Sequence, residues 1–121
     1  MSRKLLMNTD DPYYIDGMKV MTRGKDIKLD YDTFPIVNNP NCWFTVDAVT
    51  VVRGQKYRLT ADATWAKVIS YDDNDKYYDN IGHGSDDNPQ NFTFISRTNH
   101  IRFGIYDPKG QLTYFIIKAV R

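Results

Sequence analysis

The feature that most constrains the fold is a period-two alternation of apolar and polar residues in the second half of the chain. From Lys56 to Ala61, polar and apolar residues alternate strictly, which places the apolar ones on one face of an extended strand. A second alternation puts Ile101, Phe103 and Ile105 on one face. No long stretch has the 3.6-residue apolar period of an amphipathic helix. The pattern predicts an all-β protein built of antiparallel strands.

Clusters of turn-forming residues separate the extended runs at the spacing typical of β-sandwiches. The strongest turns are predicted at 72–76 and 107–110. The predicted extended runs are 17–20, 27–31, 43–52, 56–61, 65–71, 77–78, 91–95, 100–106 and 112–120. Loops are expected at 34–41 and 82–90. The last run is strongly apolar and is expected to need cover on both faces, from a second sheet or a partner chain.

Length and composition indicate a single domain. The chain has 121 residues, of which 43–121 are predicted to form the sandwich core. Residues 1–42 are expected to be an N-terminal extension or to add strands to the same domain. The single cysteine, Cys42, excludes an intrachain disulfide.

Charge and hydropathy exclude two classes of partner. A formal net charge of +1 disfavours binding to nucleic acid through bulk electrostatics. No apolar run approaches the length of a membrane span. The apolar run 5–7 ends at Asn8, which is too early for an export signal. We therefore expect a protein made in the cytoplasm, without a signal peptide and without membrane contact.

Groups that could carry catalysis or hold a metal are sparse. His83, Ser85 and Asp86 are too close in sequence to form a catalytic triad, and we interpret them as loop residues. His83, His100 and Cys42 lack the spacing of a metal site. The acidic cluster at 72–75 is interpreted as a hairpin turn, with a structural calcium site as the alternative. The sequence thus predicts neither an enzyme nor a cofactor.

Aromatic residues next to this turn are the predicted ligand-binding site. Sugars present apolar C–H faces to aromatic rings and hydroxyls to polar side chains. The candidate residues are Trp65, Tyr71, Asp73, Asp75, Tyr77, Tyr78 and Arg102. Arg102 alternates with apolar neighbours and is expected on an outer or concave face. The alternative for Trp65 and Tyr71 is that they share an inward face with Ile69 and belong to the core.

Three motifs carry a resemblance to a known family. They are Val-Val-Arg-Gly-Gln-Lys-Tyr-Arg-Leu-Thr at 51–60, Val-Ile-Ser-Tyr-Asp-Asp-Asn-Asp-Lys-Tyr-Tyr at 68–78, and Asn-Phe-Thr-Phe-Ile at 91–95 followed by Asn-His-Ile-Arg-Phe at 99–103. In this order they resemble small β-sandwich modules of bacteriophage tail and baseplate proteins, which have a galactose-binding-like jelly-roll fold. The chain departs from the family at Arg53, where proline is usual, and at Ser96-Arg97, where Thr-Pro is usual.

The resemblance implies a function without bond chemistry. It points to a carbohydrate-binding or host-adhesion module, which binds a cell-surface glycan weakly and gains strength from many copies. The alternative is a purely structural virion subunit, such as a collar, hub or decoration protein, with no ligand. Both imply contacts with other virion proteins, a homo-oligomer and a place in the virion. An enzyme is the third reading, disfavoured because no catalytic carboxylate pair can be placed.

Overall fold

Two antiparallel β-sheets make up the part of the chain that the computed structural model describes, residues 11–24 and 40–121. The strands are β1 (Tyr14–Asp16), β2 (Met21–Arg23), β3 (Cys42–Thr45), β4 (Val49–Thr50), β5 (Lys56–Ala61), β6 (Thr64–Tyr71), β7 (Tyr77–His83), β8 (Gln90–Ile95), β9 (His100–Tyr106) and β10 (Phe115–Ala119). Sheet 1 has the order β1-β10-β5-β8, and sheet 2 the order β2-β3-β9-β6-β7, with β4 also paired to β9. The predicted all-β antiparallel sandwich is confirmed, whereas its jelly-roll topology stays a prediction.

The core lies between the two sheets and is filled by the side chains that the alternation places inward. The fully buried ones include Tyr57, Leu59 and Ala61 on β5, Ile101, Phe103 and Ile105 on β9, and Phe115 and Ile117 on β10. The rings of Phe103 and Phe115 stack across the two sheets with centroids 5.1 Å apart. The buried Tyr57 keeps its hydroxyl paired, since that group donates to the Pro12 carbonyl and accepts from the Val52 amide.

Segment 11–24 contributes one strand to each sheet. Its centre is a 3-10 turn, Gly17–Lys19, so the strand predicted at 17–20 is wrong. The Asp16 carboxylate accepts a hydrogen bond from the Met18 amide at 3.1 Å and caps this turn. Gly17 is required there, because a Cβ would collide with the ring of Phe115. The strand predicted at 27–31 and most of the loop predicted at 34–41 lie outside the described residues.

The C-terminal strand is shorter than predicted. The amides of Thr113 and Tyr114 donate to Asp62 Oδ1 at 2.8 and 3.1 Å, so the ladder begins only at Phe115. Within β10, Phe115 and Ile117 are buried and Lys118 is exposed. The outward face carries the half-buried Ile116 beside Lys118, and cover of that face by a partner chain stays a prediction.

Strand β7 is longer than the two residues predicted for it. Its ladder with β6 continues to the pair between Lys67 and His83. The loop predicted at 82–90 is therefore reduced to 84–89. In residues 11–24 and 40–121, no helix is long and apolar enough to cross a bilayer.

Candidate functional site

The predicted site residues fall at two opposite ends of β6. Trp65 lies at the start of the strand, whereas Tyr71 is its last residue. Six residue steps along a strand correspond to roughly 20 Å. The predicted cluster is therefore divided into a Trp65 end, built from Trp65, His83 and the loop 84–89, and a hairpin end, built around the turn 72–76.

At the Trp65 end, β6 is distorted by a bulge. The register with β9 shifts between Thr64 and Lys67. Trp65 has φ = 58°, which is rare for a residue with a large side chain. Two backbone hydrogen bonds hold the bulge, from the Trp65 amide to the Ser85 carbonyl (2.9 Å) and from the Gly84 amide to the Ala66 carbonyl (2.7 Å). This geometry leaves Trp65 47% exposed, so Trp65 does not belong to the core.

The exposed Trp65 ring stands between two open grooves. The first groove, about 380 Å³, is lined by Cys42, Trp65, Ala66, Lys67, His83 and Tyr106. The second groove, about 510 Å³, is lined by residues that include Trp65, His83, Ser85, Asp87, Asn91 and Phe92. The His83 ring meets the Trp65 ring edge-on, with centroids 6.3 Å apart. Both grooves thus combine one aromatic wall with hydrogen-bonding side chains.

Gln90 fixes the loop that closes the second groove. Its amide group donates to the carbonyl oxygens of Ser85 and Asp87, and its side-chain oxygen accepts from the Ala66 amide at 3.4 Å. Gly84 allows this approach, because a Cβ at that position would overlap the Gln90 side chain. The loop backbone next to Trp65 is therefore held from inside the protein by the Gln90 side chain.

Asp107 supports the Trp65 end from below. Its buried carboxylate accepts hydrogen bonds from Arg23 (3.2 Å), the Trp43 indole (3.0 Å) and the amides of Gln111 (2.7 Å) and Leu112 (3.3 Å). Burial raises the pKa of this carboxyl, but the four donors outweigh it and hold the pKa below its ordinary value. Asp107 therefore joins β2, β3 and the chain after β9 through one ionised group.

At the hairpin end, the turn 72–76 pairs its own polar groups. Asp72 Oδ1 accepts from the amides of Asn74 (2.8 Å) and Lys76 (3.0 Å), and Asp75 adopts φ = 60°. Asp73 faces His100, whose Nδ1 lies 3.6 Å from the Asp73 carboxylate. The three carboxylates of the turn thus have different partners. Within the described ranges, no three metal-ligating side chains converge.

Arg102 lies on the outer face of sheet 2, as its alternation predicts, but it is only 6% exposed. Its Nη2 donates to both carboxylate oxygens of Asp75, at 2.9 and 2.8 Å. Its guanidinium carbon lies 4.9 Å from the ring centroid of Tyr71. The guanidinium is thus already engaged by groups of the protein itself.

Tyr71 is fully buried, so the two aromatic residues left open by the sequence have opposite environments. Burial is the main cause that raises the pKa of Tyr71 to about 12, and the nearby Arg102 charge opposes it. Among the described residues, the Tyr71 hydroxyl and Arg102 Nε have no hydrogen-bond partner. Tyr77 and Tyr78 are each 51% exposed, so both rings face solvent at this end.

Sequence reasoning missed most of the residues that surround Trp65. The sequence predicts His83 and Ser85 as loop residues and Asn91 as a strand residue, and it assigns none of them to the site. A usable signal was the pair of glycines that flanks His83, because glycine at a strand end permits close approach of a neighbouring segment.

Neither Ser85 nor Cys42, the two candidate nucleophiles near Trp65, is activated. The Ser85 hydroxyl donates to the Asp87 carboxylate at 3.0 Å and not to a histidine. Burial raises the pKa of the Cys42 thiol, which keeps it protonated and unreactive at neutral pH, although the nearby Arg23 charge opposes the shift. The side chains around Trp65 are suited to stacking and hydrogen bonding.

Comparison of the chain with family models, with curated proteins and with solved structures finds no match.

Proposed function

We propose that this protein is a non-catalytic carbohydrate-binding domain, a host-adhesion module of a phage tail or baseplate, which holds a cell-surface glycan at the Trp65 end. The single observation that carries the proposal is the half-exposed Trp65 ring, fixed in a left-handed backbone conformation between two open grooves. A strained non-glycine residue persists only where its surroundings hold it, and such residues concentrate at binding sites.

The chemistry of the surrounding side chains suits a sugar. The ring of Trp65 offers a flat apolar surface to the C–H groups of a pyranose. Lys67 and His83 in the first groove, and Ser85 and Asn91 in the second, can donate to or accept from its hydroxyls. Because the grooves are shallow, a single site binds weakly, and several copies in a homo-oligomer on the virion would supply avidity.

The second candidate is a structural virion subunit with no ligand. Its supporting observation is the set of large apolar side chains that are exposed besides Trp65: Tyr13, Tyr14, Val46, Tyr77, Tyr78, Ile95 and Tyr114. Exposed apolar surface is typical of contacts with other proteins. The jelly-roll topology implied by the family resemblance is compatible with both candidates.

The test compares variants at the two ends of β6 for binding to arrayed glycans and to whole bacterial cells. Trp65→Asn removes the ring but keeps a residue that tolerates the left-handed conformation. We expect this variant to weaken glycan binding at least about tenfold, because aromatic residues that become buried on binding contribute much of the affinity. Tyr77→Ala and Tyr78→Ala are the matched controls and should change binding less than twofold.

Circular dichroism confirms that each variant is folded before binding is compared. Loss of binding in the Tyr77 or Tyr78 variant, with Trp65→Asn unaffected, would move the site to the hairpin end. No binding to any glycan or cell at millimolar protein would favour the structural subunit.

A further inference from the structure

Three basic side chains form a band on the outer face of sheet 1. Lys118 on β10 is directly opposite Arg58 on β5, and Lys56 lies two residues before Arg58 on the same face. Their neighbours Tyr57 and Ile117 point into the core, so the basic residues point outward. We call Lys56, Arg58 and Lys118 the basic band.

Among the described residues, no carboxylate forms an ion pair with the basic band. In residues 11–24 and 40–121, none of its three members takes part in an ion pair, and Arg58 donates only to the amide oxygen of Asn91, at 2.7 Å. Like charges directly opposite each other destabilise a pair of strands. On the same face, Asp16 is the acidic residue of β1, and its carboxylate caps the Met18 amide. The band is therefore a local excess of positive charge in a chain of net charge +1.

A groove of about 290 Å³ runs over this band. It is lined by Arg58, Thr60, Ile116, Lys118, Ala119 and Val120. The groove meets the Trp65 end through Asn91, which lines the second groove and is hydrogen-bonded to Arg58. From β8, which carries Asn91, to β10 is two strand spacings, roughly 10 Å. A chain molecule that leaves the second groove can therefore cross the basic band.

We infer that the glycan is an anionic polysaccharide, whose uncharged sugar faces stack on Trp65 while its acidic groups pair with Arg58 and Lys118. The inference rests on the proposed function, since it names the ligand class of that site. The acidic groups belong at the band because Asp86 and Asp87 are exposed beside the second groove and would repel them there. Arginine presents paired N–H groups that match carboxylate, sulfate and phosphate oxygens.

The test measures binding of two matched pairs of polymers, alginate with its carboxyl-reduced form and dextran sulfate with dextran. The wild type, Trp65→Asn and the double variant Arg58→Gln/Lys118→Gln are compared at low and high salt. The control double variant, Lys76→Gln/Arg97→Gln, removes the same charge from exposed positions outside the band. Thermal unfolding checks that all variants are folded.

We expect at least one anionic polymer to bind at least about tenfold more tightly than its neutral counterpart. The band variant should remove that preference and its salt dependence, and should leave the weaker binding of the neutral counterpart unchanged. The control variant should change neither. The alginate and dextran sulfate pairs distinguish carboxylate from sulfate recognition.

Three outcomes would overturn the inference. One is glycan binding that needs Trp65 but is equal for charged and neutral polymers, which leaves the proposed function intact. Another is an equal loss in the band and control variants, which would indicate an effect of net charge alone. The third is self-association, seen by sedimentation, that only the band variant abolishes, which would make a second copy of this chain the occupant. Absence of all glycan binding would instead remove the proposed function itself.

Discussion

At one end of β6, Trp65 is half exposed between two grooves, whereas at the other end Tyr71 is fully buried beneath Arg102. Both ends combine aromatic rings, charges and a residue with positive φ, Trp65 in one case and Asp75 in the other. The difference lies in the polar groups. At the hairpin end, Asp75 and Arg102 are bound to each other, whereas at the Trp65 end the inward Gln90 holds the loop and outward side chains face solvent. Similar residue types therefore form an internal ion pair at the hairpin end and an accessible surface at the Trp65 end.

Each end also contains one buried charged group. Asp107, below the Trp65 end, is fully paired with four donors. Arg102, at the hairpin end, pairs with a carboxylate that is largely exposed, and its Nε has no hydrogen-bond partner within residues 11–24 and 40–121. Since unpaired buried groups cost free energy, Asp107 should contribute more to the free energy of unfolding than Arg102 does.

The largest expected effect is that of Asp107→Ala. Removing the carboxylate leaves the Arg23 guanidinium, the Trp43 indole and two amides without their acceptor, so the free energy of unfolding should fall by about 3 kcal/mol. Urea denaturation at pH 7 measures it. The matched control is Asp73→Ala, which removes an exposed carboxylate and should change the stability by less than about 0.5 kcal/mol. A loss below 1 kcal/mol for Asp107→Ala would contradict the role assigned to this group.

Lowering the pH should remove the contribution of Asp107 to the stability of the wild type. Because the pKa of Asp107 is lower in the folded protein, its stabilisation is complete above its ordinary pKa of 3.8 and is lost as pH falls through the folded value. Asp62 contributes in the same direction, since burial opposes but three hydrogen bonds from Thr113 and Tyr114 lower its pKa. The wild type should therefore lose more stability than Asp107→Ala between pH 5 and pH 2.

The next largest effect concerns the hairpin end and appears in alkali. The pKa of Tyr71 is raised to about 12, so its stabilisation is complete below pH 10 and is lost as pH rises from 10 to 12, where the unfolded chain ionises first. Tyr71→Phe removes this ionisation. Between pH 8 and pH 11 the wild type should lose about 1 kcal/mol more stability than Tyr71→Phe. Tyr78→Phe, at an exposed position, should behave as the wild type, and equal losses in all three proteins would contradict the assignment.

The sheet framework could be predicted because alternation records which face of a strand is buried. The predicted inward sets on β5 and β9 are confirmed, since all six of their side chains are fully buried. Strand ends were less predictable. The start of β10 depends on Asp62, which accepts hydrogen bonds from the amides of Thr113 and Tyr114, 51 and 52 positions away. No local sequence pattern indicates that contact.

The site could be predicted only in part, for a related reason. Alternation places Trp65 and Tyr71 on the same face of β6, but their exposure differs. Tyr71 lies under the Arg102 guanidinium, whereas Trp65 lies in the bulge between Thr64 and Lys67 and is half exposed. The partner of Arg102 is Asp75, 27 positions away, and their contact depends on the register between β6, β9 and the turn. Residue types predicted which side chains could bind a sugar, but the tertiary pairing decides which of them remain available.

The smallest predicted effect tests whether the backbone at Trp65 is strained, which separates the Trp65 end from an ordinary strand. In a strand, glycine is normally less stable than alanine by about 0.5–1 kcal/mol. At φ = 58° the order should reverse, because alanine in the left-handed region costs about 1–2 kcal/mol that glycine avoids. Since this cost exceeds the ordinary disadvantage of glycine, Trp65→Gly should be more stable to urea than Trp65→Ala by about 0.5–1 kcal/mol. The control pair is Lys67→Gly and Lys67→Ala, two residues further along β6, where alanine should be the more stable.

If alanine is also the more stable residue at position 65, the backbone there is relaxed, and strain does not mark this position for binding. If the order reverses only at position 65, the protein maintains a locally unfavourable backbone to present one tryptophan, and the fully buried Tyr71 at the other end of the same strand shows that the fold does not require exposed rings in general.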